Sequence, residues 1–127
     1  MLLVDGMNVI GSRPDGWWRD RPGAQRRLVE EIEAYCASSG EEVIVVFDGR
    51  PWEPEPGEAG PRVTFAARRG PNAADDEIVR VVADDPDPSR LTVVTSDAEL
   101  ARRVREGGAE VLGAGSFRRR LDTVAGS

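Results

Sequence analysis

Three short apolar runs in this chain lead into an aspartate: LLV before Asp5, VIVVF before Asp48 and LTVVTS before Asp97. None alternates apolar with polar residues, so each needs cover on both faces, as a strand inside a parallel sheet does. Stretches of helical period separate them. Alternation of this kind restricts the chain to an α/β fold with three layers, α/β/α, around a central, mostly parallel sheet.

The remaining elements follow from local signals. Leu2-Leu3-Val4 reads as the first strand and the segment from Gly11 to Asp20 as a loop. Pro22 suits the opening turn of a helix that carries Leu28, Ile32 and Tyr35 on one face and stops at Ser38-Ser39-Gly40. The run from Val43 to Phe47 is expected at the centre of the sheet, residues 51–61 as an exposed loop, and Val63-Thr64-Phe65 as a short edge strand before a connector at 68–71. A second helix over Ala73 to Ala83 turns Ile78, Val79 and Val82 inward, and Leu91 to Val94 forms another central strand. Ser96 with Glu99 reads as a capping box for a third helix bearing Leu100 and Val104, closed by Gly107-Gly108. Val111-Leu112 makes a last short strand, and Ser116 caps a final helix with Phe117, Leu121 and Val124 inside. There is no internal repeat, and 127 residues suit a single domain spanning 1–127.

Residue usage decides which chemistries remain open. Cys36 is the one cysteine and there is no histidine, which removes a disulfide framework, a thiolate zinc site and an imidazole base. All 17 basic residues are arginine, so lysine Schiff-base chemistry is closed as well. Catalysis has to come from carboxylates, hydroxyls, arginines or a bound metal. No apolar run approaches the ~18 residues of a spanning helix, and residues 1–10 lack a basic leader and cleavage site, so a cytoplasmic protein without membrane contact is expected. A net charge of −6 runs against a generally basic nucleic-acid surface. Local arginines can still meet phosphates where grouped aspartates are neutralised by cations.

Ligands of parallel α/β sheets bind beyond the carboxyl ends of the strands, so Asp5, Asp48 and Asp97 are expected to converge there. Asp75 joins them, because it lies three, four and seven residues before Ile78, Val79 and Val82 and extends the buried stripe. Asp76 points away and is expected to pair with Arg80 on the surface. Each acid alone has a plainer explanation: a helix first turn for Asp97, or Asp-Gly turn chemistry for Asp5-Gly6 and Asp48-Gly49. Four of them aimed at one edge are hard to assemble from independent turn preferences. Grouped carboxylates repel and call for a cation, and oxygen-only ligands favour Mg²⁺ or Mn²⁺ over zinc. Asn8 adds an amide one turn past Asp5, and Thr95 and Ser96 lie within reach.

Taken in order and spacing, DGMN at 5–8, VFDG at 46–49, ADDEI at 74–78, TSD at 95–97 and GAEV at 108–111 resemble the NYN domain of the PIN-like nuclease superfamily, especially its YacP-like bacterial branch. The resemblance covers nearly the whole chain, with Met7 at a position often aromatic in that branch and a length shorter than many of its members. It implies a metal-dependent endoribonuclease in which Asp5, Asp75 and Asp97 are the principal metal-binding acids, while Asp48 and Asn8 line the same site. Asp76 is the alternative to Asp75. Arginines beside tryptophans near these motifs suit single-stranded RNA: Arg13 with Trp17 and Trp18, Arg50 with Trp52, and Arg68 and Arg69 before the third motif. The alternative is a non-catalytic RNA- or ribosome-binding module on the same fold. A phosphotransfer receiver is disfavoured by the missing lysine.

Overall fold

A computed structural model of the chain describes residues 1–53, 60–66 and 72–125. Five strands, β1 (Leu2–Asp5), β2 (Val43–Phe47), β3 (Arg62–Phe65), β4 (Thr92–Val94) and β5 (Glu110–Leu112), form one sheet in the order β3-β2-β1-β4-β5, and every pairing is parallel. The apolar runs that never alternate occupy its interior, while β3 and β5 form the edges. Strand order reverses between β1 and β4, which makes the crevice beyond those two strands the topological switch point.

Alternate side chains of the interior strands feed two separate cores. Leu2, Val4, Val43, Val45, Phe47 and Val94 pack against α1 (Gly6–Gly11), α2 (Arg21–Ser39) and α5 (Ala114–Ala125). Leu3, Val46 and Val93 face α3 (Ala73–Asp84) and α4 (Ala98–Glu106), which contribute Ile78, Val82, Leu100 and Val104. The result is the expected three-layer α/β/α arrangement. Among the described residues, no helix is long and apolar enough to cross a membrane.

Several local expectations are corrected. Residues 6–11 form a helix, α1, where sequence patterning marked none before Pro22, and Trp17–Arg19 adds a 3₁₀ turn inside the expected loop. Gly6 is required there by close approach, not by turn geometry: a Cβ would run into the ring of Phe47, which is fully buried. Gly49, in contrast, has φ of +90°, so turn chemistry after Asp48 is real. The cap of α4 is Asp97 and not Ser96: the Leu100 N–H donates to Asp97 Oδ1 at 2.9 Å. Ser96 Oγ instead accepts the N–H of Ala114, at 2.9 Å, at the start of α5. Ser116 therefore lies inside α5 and does not open it.

Candidate active site

Asp5 is the last residue of β1 and the residue before α1, so strand and helix together hold its side chain at the switch point. It caps nothing. Its Oδ2 accepts the hydroxyl of Thr95 at 2.9 Å, and Thr95 Oγ1 in turn accepts the N–H of Asp97 at 3.1 Å. Thr95 is fully buried, so this relay ties the ends of β1 and β4 together out of solvent. Asn8, one helical turn on, reaches the same loop: its Oδ1 accepts the N–H of Ser96 at 2.8 Å.

The electrostatics identify the neighbours. Burial, opposed by the Thr95 hydrogen bond and reinforced by the charges of Asp75, Asp97 and Asp48, pushes the Asp5 carboxyl up to about 7. Asp75 is also raised, first by burial and then by Asp97, while the Arg103 guanidinium pulls it back down. Asp5, Asp48, Asp75 and Asp97 thus share one neighbourhood, contributed by β1, the end of β2, α3 and the start of α4. Asp97 serves two surroundings at once: Oδ1 is spent on the α4 cap and Oδ2 takes no hydrogen bond among the described residues.

Two arginines lie at this group, one bound to Asp48 within it and one to Asp76 beside it. Arg21, at the start of α2, pairs with Asp48. Arg103, on α4, pairs with Asp76 at 3.2 Å, which corrects the expected Asp76–Arg80 pair; Arg80 bonds Glu77 and Asp84 instead. Asp5, Asp75 and Asp97 are left without an ion-pair partner among the described residues. Their side chains are neighbours electrostatically yet stand apart as ligands: among the described residues no three acidic side chains form a ready-made ion site. Their chemistry, hard oxygen donors in excess of local positive charge, fits a divalent cation such as Mg²⁺ or Mn²⁺.

The expected substrate contacts divide. Trp52 is held in the core edge: its Nε1–H donates to Gln25 Oε1 at 2.8 Å, Gln25 Nε2 lies 3.4 Å from the Met7 sulfur, and the ring packs on Phe47 and Phe65 beneath the Arg26 guanidinium. Trp17 packs on the same core, whereas Trp18 is 58% exposed. Arg13 pairs with Asp122 of α5, Arg50 is exposed, and Arg68 and Arg69 lie outside the described residues. Arg21 and Arg103 were not singled out by sequence reasoning, because their partners are 27 residues away in each case and no local spacing marks them.

The family model of the YacP-like NYN domain matches residues 2–127. Two crystal structures of Rae1 (YacP) from Bacillus subtilis are similar over 98% of this chain. One, of a single-residue mutant, has a TM-score of 0.78 and 26% identity with 76% of that chain covered. The other has a TM-score of 0.79 and 25% identity with 75% covered. No curated protein matches. The match along almost the full length, in sequence and in fold, means that the chain belongs to the YacP-like NYN domain family of the PIN-like nuclease superfamily.

Proposed function

We propose that the chain is a metal-dependent endoribonuclease that hydrolyses phosphodiester bonds of RNA, in single strands, at the switch-point crevice. The observation that carries this reading is Asp5: a buried carboxylate whose ionisation is opposed by the charges of Asp75, Asp97 and Asp48, pushed up to about 7 and without an ion-pair partner among the described residues. A stable fold gains nothing from such a group, and a site that takes up a cation does.

In this reading Asp5, Asp75 and Asp97 hold Mg²⁺ or Mn²⁺, with Asp48 completing the acidic wall. When bound, the ion supplies charge neutralisation at the phosphodiester and the acidity that a chain without histidine or lysine lacks. Thr95 fixes the rotamer of Asp5 through its hydroxyl. Asn8, whose Oδ1 is already engaged, keeps its Nδ2–H donors for a phosphate oxygen. Trp18 and Arg50 are exposed and suited to stacking and phosphate contact, and ribosome-bound RNA is one source of substrate.

The test is incubation of a mixed pool of single-stranded RNA and DNA with Mn²⁺, without it and with EDTA, followed by mapping of the ends. Cutting of RNA by the native chain in Mn²⁺ is expected, with background levels for Asp5→Asn and Asp97→Asn. Asparagine keeps both the Thr95 hydrogen bond and the α4 cap, so both variants should fold. RNA binding without any metal-dependent product would instead make the chain a non-catalytic binding module, and cutting that persists in EDTA would overturn the metal mechanism.

A further inference from the structure

Behind the crevice, on the face covered by α1, α2 and α5, lies a second hollow of about 210 Å³ lined by Ile10, Arg13, Asp15, Arg27, Glu31 and Arg118 among others. Three arginines from three elements meet there: Arg13 just past α1, Arg27 on α2 and Arg118 on α5. In a chain of net charge −6 this gathers three guanidiniums, set against Asp15 and Glu31 in the lining and Asp122 at the rim.

Arg118 is the unusual member. It is 9% exposed, and its Nη1 donates to Glu31 Oε2 at 2.8 Å. That ion pair accounts for one nitrogen. Nε is the only buried side-chain nitrogen or oxygen without a hydrogen-bond partner among the described residues, and Nη2 makes no hydrogen bond either. A guanidinium buried only to staple α5 to α2 would be expected to have its buried Nε–H satisfied. Arg27, unlike Arg118, makes no ion pair among the described residues, while Arg13 is shared with Asp122 at the rim. Planar guanidinium donors with spare N–H groups are matched to the oxygens of a phosphate.

We propose that this hollow is a metal-free phosphate subsite, formed by Arg13, Arg27 and Arg118, that takes a backbone phosphate of the RNA strand near the one being cut. Location supports the assignment. Both α1, which starts beside Asp5, and α5, which starts at Ala114 on the Ser96 hydroxyl, run away from the carboxylate edge along the same face. Ile10 and Arg118 lie on the order of 6–8 Å further along those helices by helical rise, the scale of neighbouring positions on one strand. That the phosphate belongs to RNA rests on the nuclease reading; that the hollow binds phosphate does not.

The experiment uses the full chain, labelled with ¹⁵N-arginine and kept in EDTA so that no cutting occurs. The Arg118 Nε–H resonance, assigned with Arg118→Lys, is followed while inorganic phosphate or a short single-stranded RNA is added. Saturable shifts with both are expected, with RNA acting at lower concentration and displacing phosphate. The midpoints should weaken by about tenfold or more in the double variant Arg13→Gln/Arg27→Gln. They should be unchanged in Arg80→Gln, which removes an arginine paired with Glu77 and Asp84 on the opposite face of the sheet and so separates this subsite from a general loss of positive charge. A shift with phosphate alone would retain the phosphate site and overturn its placement on the RNA path. No shift with either probe, a shift matched by sodium chloride at equal ionic strength, or unchanged midpoints in the double variant would overturn the subsite itself.

Discussion

Leu3, Val4 and Asp5 follow one another on β1 and are buried to almost the same degree, with 0%, 0% and 5% exposure. The first two sit in the sheet interior, one in each core, where every apolar atom removed from water stabilises the fold. The third sits at the carboxyl edge, where burial opposes ionisation and three more carboxylates add repulsion. The same strand therefore carries the sheet's stability at its centre and a destabilising, chemically poised group at its end. Burial alone does not distinguish structural from functional positions; what the buried group is paired with does.

The largest effect that separates the two regions is expected from Asp5→Asn. It should abolish RNA cutting and at the same time stabilise the metal-free protein. The sign follows from linkage: the Asp5 pKa is about 7 folded and 3.8 as the reference value, so the penalty is absent below pH ~4, grows through the interval between, and is complete above 7. The gain on substitution should reach at most about 4 kcal/mol at pH 8 and vanish near pH 4. Chemical denaturation at the two pH values measures it, and equal effects at both would break the comparison.

Leu3→Ala is the opposite case. It should destabilise by about 2–5 kcal/mol at both pH values, because it removes fully buried atoms between α3 and α4. A pH-dependent loss would mean that interior and edge are not independent.

Thr95→Val keeps shape but removes the donor to Asp5. Activity should fall by about 10–100-fold, and the Asp5 titration should move higher still, since the hydrogen bond is what opposes burial. Followed by ¹³C NMR of the side-chain carboxyl, a downward movement would contradict the relay.

The smallest effect is expected from Arg103→Gln. The Arg103–Asp76 pair is partly exposed, so stability should change by no more than about 1 kcal/mol. Asp75 should titrate at higher pH without the guanidinium beside it. An unmoved Asp75 would place Arg103 outside the site's field.

These differences also show what was legible in the sequence. The β2 and β4 runs and the aspartates after them were readable because non-alternating apolar residues define a doubly covered strand, and a parallel sheet sends all its carboxyl ends to one edge. Helix α1 was not, because GMNVIG is short, has glycine at both ends and is stabilised by packing on α2 and β2, not by its own propensity. Ser96 and Asp97 are adjacent and both suited to capping, so only geometry decides that Asp97 caps α4 and Ser96 the start of α5. Helical phase set Asp75 beside the buried stripe of α3 but sent Asp76 to Arg80, because the Asp76–Arg103 pair crosses between helices and leaves no mark in local spacing.

The most direct measurement is paramagnetic broadening by sub-stoichiometric Mn²⁺ in a ¹H–¹⁵N spectrum of the native chain. The backbone signals of Asp5, Asp75 and Asp97 should broaden together, first among all residues, and the effect should be lost in Asp5→Asn. Broadening centred elsewhere, such as on the exposed acids of α3 and α4, or broadening of these three at unrelated concentrations, would contradict a common ion site at the end of β1.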